Sequence, residues 1–229
     1  MRISPRSLLL AAFLISFTSS SFATNGYLAH GYGIKSRGMA GSGVALPQET
    51  LIAATNPAGI AFLGNRVDAS VALFSPRRSY DVTGTPAPGG LANGKVDSDS
   101  DYFVMPELGA TWQLDDHKSI GIMLYGNGGM NTDYSASSTT SNGTFGAGTA
   151  GVDLAQLFIT PTFAYRFDSD ASIGVSAVLA YQRFEAKGIS SFGGLSNDAN
   201  NLSNKGHDSS YGAGINLGFM LPVGSQVTF

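Results

Sequence analysis

The stretch Tyr211-Gly-Ala-Gly-Ile-Asn-Leu-Gly-Phe-Met-Leu221 decides how this chain folds. Tyr211, Ala213, Ile215, Leu217, Phe219 and Leu221 alternate with Gly212, Gly214, Asn216 and Gly218. Side chains of a strand alternate between two faces, so one face here is greasy and the other small and polar. In a soluble sandwich the greasy face packs on a second sheet. In an outer-membrane barrel it meets lipid, and the polar face lines the lumen.

The same pattern repeats from Arg66 onward. It predicts strands at 66–74, 102–114, 119–125, 154–167, 171–184 and 210–221, with a seventh beginning near Ser225. Short connections, such as Asp-Ser-Asp after Phe167, alternate with long ones at 75–101, 126–153 and 185–209. The long ones are rich in Gly, Ser, Asn, Thr and Asp, as solvated loops are. Tight turns at one end and long loops at the other are the habit of a transmembrane antiparallel β-barrel, an all-β fold. Aromatics near strand ends, among them Tyr102, Trp112, Tyr125, Tyr165 and Tyr181, suit interfacial girdles. Pro106 and Pro161 fall inside strands and cannot donate to a ladder. Each reads either as a tolerated bulge or as a gap in the wall.

The N-terminus predicts export. Arg2 and Arg6 precede an apolar run over 8–17, and Ser21-Phe-Ala23 supplies small residues for cleavage near Ala23. The run is too short to span a bilayer as a helix. Domains are therefore expected at 1–23 (signal peptide), 24–65 and 66–229. Of the 13 basic residues, Arg2 and Arg6 leave with the signal, so 11 face 16 acidic ones, a formal charge of −5. That acidity argues against a nucleic-acid partner, which needs a basic face. With no cysteine, an exported chain must rely on a hydrogen-bonded framework rather than disulfides. Any membrane role would fall to strands, which must close into a barrel to pair their backbone.

Residues 24–64 do not alternate. They are rich in glycine and then alanine, with a short helix expected around 48–55. Asn56-Pro57 stops that helix, because the residue before a proline is pushed out of the helical region. Asn56 then suits the cap of a second turn with Pro57 in its first position. Small residues let such a segment pack tightly inside a lumen.

Asn56-Pro57-Ala58, preceded by Gly-Met-Ala-Gly-Ser-Gly-Val-Ala and followed by the first strand, resembles the hatch of the FadL/TodX family. These are outer-membrane transporters of long-chain fatty acids and other hydrophobic compounds. Gly126-Asn127-Gly128 falls where the family's third strand carries an inward kink that opens the wall sideways. Tyr165-Arg166-Phe167, Ser172-Ile173-Gly174 and Val178-Leu179-Ala180-Tyr181 resemble its fourth and fifth strands. The resemblance implies a fourteen-stranded barrel plugged by a small helical N-terminal hatch, of which about half the strands are present. The expectation is accordingly an N-terminal part of such a barrel, with a small eight-stranded barrel as the other reading.

The resemblance also implies a mechanism. A ligand captured among the long loops moves to an apolar pocket beside the hatch. Loosening near Asn56, Pro57 and Ala58, coupled to the kink at Gly126, Asn127, Gly128 and Gly129, releases it sideways into the bilayer. Glycine suits a kink because it freely takes unusual dihedrals; the same glycines also suit the start of a flexible loop. The implied partners are outer-membrane lipid, a long-chain fatty acid or other hydrophobic molecule, and the barrel-assembly machinery. The protein is expected to act as a monomer in the outer membrane of a Gram-negative-type bacterium.

Reaction chemistry is not written in the chain. His30, His117 and His207 have no metal-type partner at helical spacing. No Gly-x-Ser-x-Gly elbow occurs, and Gly38-Met-Ala-Gly-Ser-Gly43 follows no strand, so it is not a dinucleotide fingerprint. No enzyme activity and no cofactor is expected. Lys35 and Arg37 suit either a ligand carboxylate or a charged lumen. Two other functions stay open: a general porin, and a structural or adhesive barrel.

Overall fold

The structure, a computed structural model, describes residues 28–84, 93–135, 148–223 and 227–228. The expected signal peptide and residues 24–27 lie outside them, as do parts of two long loops. A short helix α1 (Ile34–Gly38) and two 3-10 turns, Thr50–Ala54 and Pro57–Phe62, precede the strands. The strands are β1 (Arg66–Phe74), β2 (Ser79–Val82), β3 (Gly94–Asp97), β4 (Phe103–Gln113) and β5 (Lys118–Tyr134). They continue with β6 (Ala150–Arg166), β7 (Ser172–Lys187), β8 (Asp208–Met220), β9 (Pro222–Val223) and β10 (Val227–Thr228).

Six of these form one antiparallel sheet in the order β1-β4-β5-β6-β7-β8. β2 pairs with β3, and β9 with β10. Among the described residues β1 and β8 do not pair, so the sheet is not closed; the expectation was of a part, about half, of a fourteen-stranded barrel.

The strands meet the expectation at β1 and depart from it chiefly at the ends joined by the long connections. β5 was expected to end at Tyr125 and runs to Tyr134; β6 begins at Ala150, β7 reaches Lys187 and β8 starts at Asp208. A strand of 17 residues at roughly 3.3 Å each is about 55 Å long, some twice the apolar band of an outer-membrane barrel. The alternation that reveals a strand exists only where one face meets lipid, so it fades before the strand ends. The expected loop 75–101 likewise holds the β2–β3 hairpin, and 185–209 holds two 3-10 turns, Ser190–Leu195 and Ala199–Asn201.

The two faces differ as the alternation requires. Val67, Leu73, Val104, Ile215 and Leu217 point outward and stay 67–76% exposed. An apolar surface this continuous is uncommon on a water-soluble monomer. Inward, Glu107, Thr111, Ser119, Thr162, Ser172 and Ser176 are buried. What buries them is the segment before β1, which lies across the polar face. Leu51, Ile52, Ala53, Ile60 and Ala61 from that segment cluster with Met123, Tyr125 and Ala164 from the sheet. Each fully buried Leu or Ile contributes about 1.5–3 kcal/mol.

Tight turns close the other end. Between β4 and β5, the exposed Asp115 accepts the N–H of His117 at 2.9 Å and of Lys118 at 2.7 Å, and the Lys118 ammonium at 3.0 Å. These donors, the His117 N–H foremost, hold its carboxyl below the ordinary range.

Candidate functional site

Asn56 caps the turn Pro57–Phe62 with Pro57 in its first position, as expected. Its Oδ1 accepts the Ala58 N–H at 3.1 Å. Its Nδ2 donates to Val44 O and to Phe219 O, each at 3.1 Å. One amide thus ties three pieces of backbone together: its own turn, the earlier segment, and β8. Aspartate has no donors for the two carbonyls, and alanine would leave both groups unmet. The expected helix at 48–55 is instead a single 3-10 turn. The Thr50 N–H at its start is taken by Asp68 at 2.8 Å, and Asn56-Pro57 follows its end.

The wall accepts this turn because it has no side chains there. A Cβ on Gly174 would lie 2.4 Å from Ala58 N, and one on Gly218 would lie 2.1 Å from Asn56 Oδ1. Ser172 adds a hydroxyl to Ala58 O at 3.2 Å, and Asn216 Nδ2 reaches Ala53 O at 3.4 Å. Asn56, Pro57 and Ala58 therefore sit on β7 and β8.

Gly126, Asn127, Gly128 and Gly129 lie elsewhere, within β5 against β6. Of their two readings, loop start and strand kink, the strand is what forms. Gly126 pairs with Leu157 and Gly129 with Ala155, so β5 holds one extra residue there, a β-bulge. Neither Gly126 nor Gly129 takes a positive φ, so left-handed freedom is not why glycine stands there. At Gly129 the reason is space: a Cβ would meet Leu154 O at 2.6 Å.

The bulge coincides with a break on the other side of β5. Among the described residues the β4–β5 ladder ends at Glu107↔Tyr125; beyond it their pairings join β5 to β6, and Phe103 to Pro106 to β1. Pro106 is thus the first residue past the ladder. The segment between β3 and β4 reaches β5 further up, where Asp99 N–H donates to Asp133 O at 2.7 Å and Asp133 N–H to Ser98 Oγ at 3.1 Å. Between these points, among the described residues, the β4–β5 ladder is interrupted, which leaves a gap in the pairing of the wall. Pro161, by contrast, leaves the register of its strands unshifted, with Ile159↔Leu179 and Thr162↔Ser176 on either side.

Glu107, at the foot of the gap, was not singled out in the sequence. Its buried carboxylate accepts Arg37 Nη2 at 2.5 Å, Arg37 Nη1 at 3.1 Å, Gly33 N–H at 3.0 Å and Ser70 Oγ at 2.9 Å. Beside it the Tyr32 ring packs 4.7 Å from that of Tyr125, which stacks on Phe158 at 5.6 Å. Burial pushes the Tyr32 phenol above its ordinary value, and the Glu107 charge acts in the same sense. One sequence signal existed for Glu107: a carboxylate in phase with the inward face of a strand, in a chain only 13% charged.

Tyr125 and Ile60 belong to one buried cluster. Tyr125 precedes Gly126, and Ile60 follows Ala58 by two residues. Packing thus connects the two sets of expected site residues although they stand on different strands. Above the gap, an open cleft of about 470 Å³ is lined by Tyr80, Val82, Tyr134, Val152 and Ile189, with Asp81 and Lys187 among its polar groups. Among the described residues no group of side chains suits a metal ion.

Comparison with known proteins sets this geometry in a family. A model described as outer membrane protein transport protein (OMPP1/FadL/TodX) matches residues 15–229. The crystal structure of the P. putida toluene transporter TodX superposes with a TM-score of 0.65 at 21% identity, over 85% of this chain and 53% of TodX. The chain thus spans about half the length of that relative, and the likeness is one of fold. A Pseudomonas aeruginosa FadL homologue gives a TM-score of 0.46 at 14% identity, over 78% of this chain and 44% of the homologue. No curated protein matches the chain.

Proposed function

The chain belongs to the OMPP1/FadL/TodX family of outer-membrane transport proteins, which are not enzymes, and from that premise we propose that it passes hydrophobic compounds through the outer membrane. The cargo is a long-chain fatty acid or another apolar molecule. It moves by passive diffusion through a barrel plugged by residues 24–65 and leaves sideways into the lipid. Export follows cleavage near Ala23, and the barrel-assembly machinery inserts the chain.

One observation carries this reading: a segment packed across the lumen face lies beside a gap in the wall, with the β-bulge at its edge. A packed lumen blocks solutes along the axis, while a side opening serves molecules that prefer lipid. An acyl chain left in a watery lumen costs about 0.8 kcal/mol per CH2, and a lateral exit avoids that. The cleft above the gap, with its tyrosine rings, suits the first capture of such a molecule. Asn56, Pro57 and Ala58 hold the plug, and Gly126, Asn127, Gly128 and Gly129 shape the exit.

The protein in lipid vesicles tests this. The expected result is uptake of a radiolabelled long-chain fatty acid without swelling in an isotonic sugar. Swelling in the sugar would favour a general porin, and transport of neither would favour a structural or adhesive barrel.

A further inference from the structure

We propose that the outward face of β6, β7 and β8, beyond its last apolar rung, docks the phosphate groups of an outer-leaflet glycolipid, with Arg183 and Lys187 as the residues that meet them. The inference goes beyond cargo transport and needs only that the sheet stands in the outer membrane.

The outward residues of β7 run Ile173, Val175, Ala177, Leu179 and Tyr181, and then, in the same phase, Arg183, Glu185 and Lys187. The change falls on one line across three strands. Leu157, Tyr181 and Tyr211 form the last apolar rung, with the two tyrosine rings 5.4 Å apart. Beyond it Arg183 pairs with Ser209, Glu185 pairs with Asp153, and His207 follows the start of β8 outward. The height of this line fits a bilayer. At the other end Tyr165 and Phe167 form an aromatic pair 5.0 Å apart, and Phe167 N–H donates to Ala171 O at 2.8 Å. From Ala171 to Tyr181 is ten residues, about 33 Å along the strand and about 25 Å in height at a tilt of roughly 40°. That is the height of the apolar band of an outer-membrane barrel, which aromatic girdles flank. The charged residues beyond Tyr181 therefore stand level with lipid head groups, on the side of the long loops.

Both signs of charge are present there, but only one projects. The side chains of Arg183, Lys187 and His207 stay 48, 39 and 36% exposed, whereas those of Asp153 and Glu185 are 23 and 12% exposed. The carboxylates are recessed and the basic groups stand over them. His207 Nε2 takes the near place on Asp153 Oδ2, at 2.7 Å. Arg183 Nη2 reaches the same oxygen only at 3.4 Å, and Lys187 Nζ, which also borders the cleft, stays 3.7 Å from Glu185 Oε2. Full-strength charge-assisted bonds are about 2.7–2.9 Å long. A guanidinium has five donors and an ammonium three, so among the described residues most of these donors are unspent. Exposed ion pairs of this kind contribute little to stability, and holding the strands together does not account for them. A phosphate suits them: its oxygens match the guanidinium fork and the point charge of an ammonium.

The experiment titrates the protein in dodecyl maltoside micelles with diphosphoryl lipid A and with the same lipid stripped of its phosphates. The phosphorylated form is expected to bind about tenfold more tightly, the worth of one charge-assisted hydrogen bond. Arg183→Met combined with Lys187→Met is expected to remove most of that advantage and to leave the affinity for the stripped lipid unchanged. Equal binding of the two lipids by the wild-type protein, or an advantage that survives in the double variant, overturns the inference. If the double variant does not fold, the wild-type titration in about 1 M salt decides: exposed pairings are screened there, so an undiminished advantage overturns it. Inorganic phosphate is expected not to displace the lipid; displacement means that the patch takes a soluble anion and overturns the membrane partner.

Discussion

The two halves of the segment before β1 are built differently. Residues 49–63 are held by packing: Leu51, Ala53, Ala58 and Ile60 are almost wholly buried, and wall glycines admit the backbone itself. Residues 28–48 are held by polar bonds, namely Gly33 and Arg37 to Glu107, Lys35 Nζ to Gln48 O at 3.0 Å, and Ser36 N–H to Glu49 at 3.0 Å. Leu28, Ile34, Val44 and Leu46 stay exposed there. Apolar packing is non-directional and is spread over many contacts that are lost only together. A charged hydrogen bond can be exchanged for another of equal quality. The rear half is thus a fixed wedge and the front half a releasable flap, joined at Asn56.

The contrast can be broken hardest from the wall side. Gly218→Val places a branched side chain where Asn56 Oδ1 and Pro57 Cδ lie 2.1 and 2.7 Å from the Cβ position. Undocking of the wedge is expected, beyond the roughly 1–3 kcal/mol of ordinary overpacking, and read as protease cleavage of residues 49–63 in an intact sheet. Leu51→Ala removes the centre of the wedge, with an expected loss of about 2–5 kcal/mol in denaturant unfolding. The same change at Ile34, on the flap, should cost almost nothing. That pair sharpens the comparison directly.

Asn56→Ala strips three hydrogen bonds from the joint, at an expected cost of about 1–3 kcal/mol. Hydrogen exchange should then rise across residues 28–48 more than across 49–63. Asn56→Asp should do no better, since two carbonyls would face a carboxylate. The smallest effect is expected at Lys35→Ala, an exposed contact whose loss should change stability by under about 0.5 kcal/mol. A larger loss there would mean that the flap is no more releasable than the wedge.

Legibility followed the lipid. β1 was read at its observed bounds because its outward residues, Val67 to Leu73, alternate along its whole length. β5 was cut short at Tyr125 because beyond it the apolar alternation stops, and Asn131, Thr132 and Asp133 look like loop. Asn56 was readable as a cap, since Asn before Pro has few other uses. Its bonds to Val44 and Phe219 were not, because they join residues 12 and 163 positions away. Gly174 and Gly218 read as small lumen residues; only the turn against them shows why a methyl group would be too much.

From the sequence by itself came the antiparallel β class, the outward apolar face and the presence of a non-alternating segment before the first strand. Each is a local periodicity, and a strand's two faces record their solvents residue by residue. Only the tertiary structure decided where that segment lies, that Glu107 and Arg37 meet across 70 positions, and that the β4–β5 ladder stops one residue short of Pro106. Those are matters of register and of close approach between distant parts of the chain, and a pattern with a period of two carries neither.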